Sequence, residues 1–120
     1  MSSYNTDLDK NAANYVPLTP LTFIKRAKEI YPDYEALIYE DRKYSWAEVY
    51  KRTVKFASAL SKAGIRKGDT VSFLAFNTPE IFEGHYSVPM TGAVLNTINI
   101  RLDAKTIAYI LDHSEAKVLV

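Results

Sequence analysis

The order of strand and helix patterns along the 120 residues predicts an α/β fold built on a parallel sheet. Three observations carry that reading. "TVSFLAF", Thr70 to Phe76, is a near-continuous apolar run with β-branched members, the pattern of a strand buried on both faces. Two further strand patterns, Ala93 to Ile98 and the final "AKVLV", alternate with helical ones, so right-handed βαβ crossovers and helices on both sheet faces are expected. The connections between them are short and rich in Gly, Pro and Asp.

Each element has its own local reason. Residues 1–17 are polar and lack any period, which predicts an extended or disordered arm ahead of a folded unit spanning 18–120. Thr19 is placed to cap a helix, Pro20 to start it, and Leu21, Phe23, Ile24, Ala27 and Ile30 to form its apolar face until Pro32 stops it. "EALIYEDRKYSW" reads as a short hairpin, with Ala36 and Ile38 on one face, Leu37 and Tyr39 on the other, and Glu40 to Arg42 as the turn.

Ser45 and Glu48 form a capping box, each satisfying one orphan amide of the helix that follows. Trp46, Val49, Thr53, Phe56, Ala57, Leu60 and Ala63 keep to one face of that helix, and Gly64 suits the left-handed position that ends it. After the strand at Thr70, Thr78 and Pro79 start another helix. It runs until Pro89, which has no amide to donate to the carbonyl of His85 and so bends or ends the helix. Gly92 closes a turn, the strand Ala93 to Ile98 follows, and Asp103 caps a helix over "AKTIAYILDHS".

Composition narrows the function. Hydrophobic residues make up 48% of the chain and its formal net charge is +1, with Lys and Arg dispersed, so no nucleic-acid footprint is present. The chain contains no cysteine, which rules out disulfides and thiolate chemistry and suits a reducing interior. No apolar run is long enough to cross a membrane and the N-terminus has no export signal, so a soluble, cytoplasmic protein is expected. The strand pattern at Val118 to Val120 has no cap or turn after it, and the sheet lacks neighbours, so the expectation is the front part of a longer protein.

The candidate site residues are polar intrusions in an apolar frame. Asn99 and Arg101 follow the carboxyl end of the Ala93 to Ile98 strand, where open α/β sheets place their ligands. The alternative reading is structural: Asn99 would bond neighbouring backbone, Arg101 would pair with Asp103, and Asn96 would find partners inside. His85 and His113 lack companions at metal-ligand spacing and read as packing residues. Glu80 and Glu83 fall in the first turns of their helix, where the helix dipole favours a carboxylate over general-base work. Most of the nine tyrosines fall at core-facing spacing. "AGIRKGD" lacks the glycine spacing of a phosphate loop and precedes a strand rather than a helix. The residues by themselves assemble no catalytic constellation.

Four stretches, in this order and spacing, carry a resemblance: "ALIYEDRKYSW", "YSWAEVYKRTVKFASALSKAGIRKGDTVSFLAFNTPE", "FEGHYSVPMTGAVLNTIN" and "INIRLDAKTIAYILDHSEAKVLV". From about Leu18 to Val120 the chain resembles the N-terminal segment of the acyl-adenylate-forming enzymes, the AMP-binding superfamily of acyl-CoA synthetases. Many members have Pro where this chain has Ile100, and the variant looks like the branch of medium-chain fatty acyl-CoA synthetases and methylmercaptopropionate-CoA ligases. The resemblance implies a ligase that activates a small carboxylic acid with ATP and Mg2+ and passes the acyl group to coenzyme A. It places no catalytic, cofactor-binding or metal residue within these 120 positions, and gives Asn96, Asn99 and Arg101 only a role supporting the site. The chain alone is therefore expected to be inactive and to bind none of these cofactors. Two other readings stay open: a stand-alone interaction or regulatory module derived from the same fold, and a small nucleotide-binding domain of flavodoxin-like shape.

Overall fold

The structure, a computed structural model, describes residues 9–120, so positions 1–8 of the expected arm lie outside the described residues. Residues 9–18 are exposed, and Asn11 and Asn14 close a local turn in which each side chain accepts from a nearby backbone amide. Helix α1, Pro20–Ile30, starts as its cap predicts, the Thr19 hydroxyl accepting from the Leu21 amide at 3.3 Å. Only Ile24 of its apolar face is buried, while Phe23 and Ile30 remain more than half exposed.

Strands β1, Glu35–Tyr39, and β2, Arg42–Ser45, form the antiparallel hairpin. Its turn is tighter than the sequence suggested: Tyr39 pairs with Arg42, leaving Glu40 and Asp41 as the loop, and Glu40 takes a left-handed φ of 53°. Helix α2, Trp46–Lys62, carries the capping box between Ser45 and Glu48 and buries Val49, Thr53, Ala57 and Leu60 at helical spacing. Its end is a Schellman motif. Gly64 at φ 94° turns the chain so that its amide reaches the Ser61 carbonyl (3.1 Å) and the Ile65 amide reaches that of Leu60 (3.0 Å). Ile65 and Leu60 then pack together in the core, the apolar contact that accompanies this cap.

Strand β3, Thr70–Phe73, helix α3, Pro79–Met90, strand β4, Val94–Thr97, helix α4, Ala104–His113, and strand β5, Ala116–Leu119, complete the chain. The three strands form a parallel sheet in the order β4-β3-β5, with Val71 opposite Leu95 and Val118, and Ser72 opposite Asn96 and Leu119. The path therefore steps one way through α3 and back across β3 through α4. Two right-handed crossovers in opposite directions place the two helices on opposite faces.

The packing agrees with that geometry. Val71 and Phe73 of β3 join Leu60 and Ile65 from α2 and its cap, Val88 of α3 and Ala93 in one buried cluster on the first face. Ser72, Asn96 and Ser114 at the end of α4 meet on the second.

Three expectations need correction. Coverage of the two faces is unequal: α4 contributes no buried residue, and Val94 and Leu119 on its side are about half exposed. The strand read as Thr70 to Phe76 ends at Phe73: Leu74 keeps one bond to the neighbouring segment, its amide donating to the Val120 carbonyl at 2.9 Å, and Ala75 and Phe76 run on into the loop before α3, where Phe76 is 70% exposed. The tyrosines also differ from their expected place. None of those described is buried, and four lie under Lys or Arg cations: Tyr15 with Lys10, Tyr50 with Lys28, Tyr39 with Arg42 and Tyr44 with Arg52.

Candidate functional site

Because α3 and α4 leave adjacent strands toward opposite faces, the loops after β3 and β4 diverge and leave a crevice at the carboxyl ends of the strands. This is the topological switch point at which open parallel sheets bind ligands. A cleft of about 610 Å³ lies there, lined by Ala75 to Asn77 after β3, Ile81 and His85 on α3, and Thr97 to Arg101 after β4. A second hollow of about 500 Å³, mostly apolar, runs between α3 and the hairpin, where Leu37 and Tyr39 face Phe82 and Tyr86. Asn77, Ile81 and His85 line both.

Of the three residues singled out from the sequence, Asn99 and Arg101 line the first cleft and Asn96 does not. The Asn99 carboxamide oxygen accepts the Arg101 amide at 3.0 Å, so it shapes its own loop as an Asx turn rather than bonding a neighbouring one. Arg101 does not pair with Asp103. Both carboxylate oxygens of Asp103 are committed to the start of α4, one accepting from the Lys105 and Thr106 amides, the other from the Thr106 hydroxyl at 2.6 Å. Those bonds, the hydroxyl's foremost, hold the Asp103 carboxyl below its ordinary range. Among the described residues Arg101 forms no ion pair. Asn96 lies in the sheet, its amide donating to Ser72 Oγ at 3.0 Å and Ser114 Oγ at 3.2 Å, and so joins β4, β3 and the end of α4.

His85 is exposed at the shared wall of the two hollows, with Nδ1 placed 2.7 Å from the Ile81 carbonyl of the preceding turn. His113 stacks on Tyr109 away from the cleft, ring centroids 5.6 Å apart. Among the described residues no group of three His, Asp or Glu could hold a metal ion.

A charged cluster below the cleft escaped the sequence reading. Glu83 is buried and takes a two-pronged contact from Arg52 of α2, through Nε and through Nη2 at 3.2 Å. Glu80 bonds Arg42 of the hairpin at 2.8 Å, with Arg52 Nη2 at 3.8 Å. Bonding from Arg42, from the Thr78 hydroxyl and from its own backbone amide holds the Glu80 carboxyl down at about 2. The bond to Glu80 raises the Arg42 guanidinium above its already high value, and the bond to Glu83 does the same for Arg52. The two carboxylates, expected to serve the helix dipole, thus mainly tie three elements together. Sequence reasoning missed this because the partners are 31 and 38 positions apart and no local pattern links them.

The comparisons with known proteins agree with one another. The sequence profile described as "AMP-binding enzyme" matches residues 24–120. A peroxisomal butyrate–CoA ligase of Arabidopsis thaliana, AAE11, is 54% identical over 107 residues, which are 89% of this chain and 19% of that protein. A peroxisomal trans-cinnamate:CoA ligase of Petunia hybrida is 53% identical over 113 residues, 94% of this chain and 20% of that protein. The chain thus spans about a fifth of the length of the curated relatives it matches. Among solved structures, an artificially fused adenylation–PCP di-domain from Klebsiella oxytoca, NpsA-ThdA, superposes with a TM-score of 0.81 at 24% identity, covering 90% of this chain and 20% of its own, and shares the fold.

One expectation is overturned here. Both relatives are peroxisomal, against the cytoplasmic location inferred from composition. The reason is physical: a peroxisomal address is a short receptor-read signal, and it leaves cysteine content and charge balance unchanged.

Proposed function

Because this chain belongs to the AMP-binding enzyme family, we propose that it forms the N-terminal part of the large domain of an ATP-dependent acyl-CoA ligase. The observation that carries the reading is identity above one half to named CoA ligases across about nine-tenths of the chain. In the proposed reaction a carboxylate oxygen attacks the α-phosphorus of ATP and pyrophosphate leaves. The thiol of coenzyme A then attacks the acyl carbon of the adenylate and AMP leaves. The substrates named for the relatives, butyrate and trans-cinnamate, support a small aliphatic or aromatic carboxylic acid. Their peroxisomal location supports the same compartment for this protein.

The residues described here do not fit ATP with Mg2+. Glu80 and Glu83 are engaged by arginines, Asp103 by a helix cap, and no trio of ligating side chains assembles. No chemical step is assigned to them. In this reading Asn96 fixes the spacing of β3, β4 and α4, Asn99 holds the loop after β4, and Arg101 is presented to the cleft.

The test is a polypeptide that carries these 120 residues within a longer reading frame. It should release pyrophosphate and form a thioester from ATP, coenzyme A and a short-chain or aromatic acid, with no turnover when the acid is omitted. A protein that folds yet forms neither acyl-adenylate nor thioester from any such acid overturns the reading.

A further inference from the structure

Although basic residues are dispersed along the chain as a whole, one stretch carries them alone. From Val49 to Gly68 there are six, Lys51, Arg52, Lys55, Lys62, Arg66 and Lys67, and no acid. The fold sorts them. Val49, Thr53, Ala57 and Leu60 form the buried row of α2, and at 3.6 residues per turn Lys51, Lys55, Ser58 and Lys62 fall in one row opposite to it. All four are exposed, and the row runs about 16 Å along the crest of the helix. Arg66 and Lys67, also exposed, follow it past the Gly64 turn.

Arg52 is the exception, turned onto Glu83. Among the described residues none of the other five takes part in an ion pair. The acids that flank or face the stretch are engaged elsewhere. Glu48 closes the Ser45 cap, and Asp69 accepts the Arg66 amide at 2.7 Å. Glu80 and Glu83, which share a hollow of about 490 Å³ with Lys55, are held by Arg42 and Arg52. The crest itself is convex and offers no groove to fix the register of a peptide: Lys51 and Lys62 line none of the three hollows. Its charges are lysines, mobile point charges rather than the planar fork that matches one chosen carboxylate or phosphate. Val54, 41% exposed, stands on the same outer side of the helix as an apolar residue. A flat, laterally extended anionic surface is the complement of such a face.

We propose that the crest of α2 is a docking face for an anionic lipid surface. Lys51, Lys55 and Lys62 lie against the headgroup phosphates and carboxylates, with Arg66 and Lys67 beside them. Among the described residues no helix is long and apolar enough to cross a membrane, so the contact is peripheral and is weakened by salt. The inference goes beyond the ligase reading and does not depend on it.

The experiment floats the 120-residue chain with phosphatidylcholine vesicles and with vesicles that are one-third phosphatidylserine, without ATP, coenzyme A or acid substrate. Binding is expected only to the second kind, falling at least about tenfold between 0.1 and 1 M salt. Lys51→Gln, Lys55→Gln and Lys62→Gln combined should weaken it roughly a hundredfold, about fivefold for each cation. Lys and Gln have nearly equal helix propensity, so the Tm should hold. The same charge removed elsewhere, by Lys25→Gln, Lys105→Gln and Lys117→Gln, should weaken it by no more than about threefold, because distant charges are screened. The chain has no cysteine, so a fluorophore can be attached at Ser58→Cys on the crest or at Tyr109→Cys, a position 65% exposed on α4. Only the first label should shift to the blue on anionic vesicles. A longer polypeptide carrying these residues should give the same pattern. The proposal is overturned by equal binding to the two kinds of vesicle, by equal losses in the two triple variants, by equal shifts of the two labels, or by tighter binding to a DNA duplex or to poly-glutamate than to the anionic vesicles. Any of these leaves the ligase reading standing, and an inactive ligase leaves this result standing.

Discussion

At Gly84 the backbone of α3 approaches β3 so closely that one methyl group decides the packing. A Cβ there would meet the Phe73 ring at 2.8 Å, and that ring is 1% exposed and set edge-to-face on Phe56 at 5.9 Å. In an open helix Gly→Ala would gain about 1 kcal/mol of helix propensity, whereas forcing a well-packed core costs about 1–3 kcal/mol. The second effect should win. Gly84→Ala is expected to lower the urea midpoint by the equivalent of about 1–2 kcal/mol, and adding Phe73→Leu should recover part of the loss. Glu80 gives a pH-dependent counterpart. Its carboxyl sits at about 2 against an ordinary 4.5, so its contribution is complete above 4.5 and is lost as the pH falls through 2. The side chain is about half exposed and its ion pair is screened, which limits the effect to below about 1 kcal/mol. Glu80→Gln should lower the Tm at pH 7 by a few degrees and leave it unchanged near pH 2, with the gap narrowing in 1 M salt.

At the scale of elements, the hairpin and both long helices are joined by charge. Arg52 and Glu83 connect α2 to α3 at a site where Glu83 is only 7% exposed at its side chain, while Arg52 remains 38% exposed. Removing Arg52 alone strands a buried carboxylate, so Arg52→Ala is expected to cost roughly 3 kcal/mol, the lower end for a buried pair. Replacing both partners with apolar residues, Arg52→Met with Glu83→Leu, should return most of that stability in a denaturant titration. These elements also show what a sequence can disclose. Thr19, Ser45 with Glu48, Gly64 and Asp103 mark helix ends through bonds spanning a few residues, and each was legible at its own position. The strand order, the cleft and the Arg42–Glu80 contact depend on partners dozens of residues apart, which no local pattern records. Asn99 and Arg101 could be located beyond a strand end, but Ser72 and Ser114 could not be foreseen as the partners of Asn96.

Across the whole molecule, the sheet is protected unequally. One face lies under α2 and α3 with a continuous apolar cluster, and the other has α4, which buries nothing fully. The radius of gyration of 18.0 Å exceeds the roughly 13–14 Å expected of a compact chain of this length, consistent with extents of 58 × 39 × 27 Å. Local opening should therefore start at α4 and β5. Native-state hydrogen exchange is expected to show their amides exchanging well before those of β3, α2 and α3; uniform protection across the sheet would contradict this.

The buried members of the cluster, Leu60, Ile65, Val71, Phe73, Val88 and Ala93, all lie at or before Ala93, and from the strands that follow only the half-buried Leu95 and Val118 pack against them. During translation the cluster can close as soon as Ala93 clears the exit tunnel. At typical elongation rates Val120 clears the tunnel roughly one to five seconds after Ala93. A newborn chain can thus gather these side chains first and receive Leu95 and Val118, with β4 and β5, as their cover.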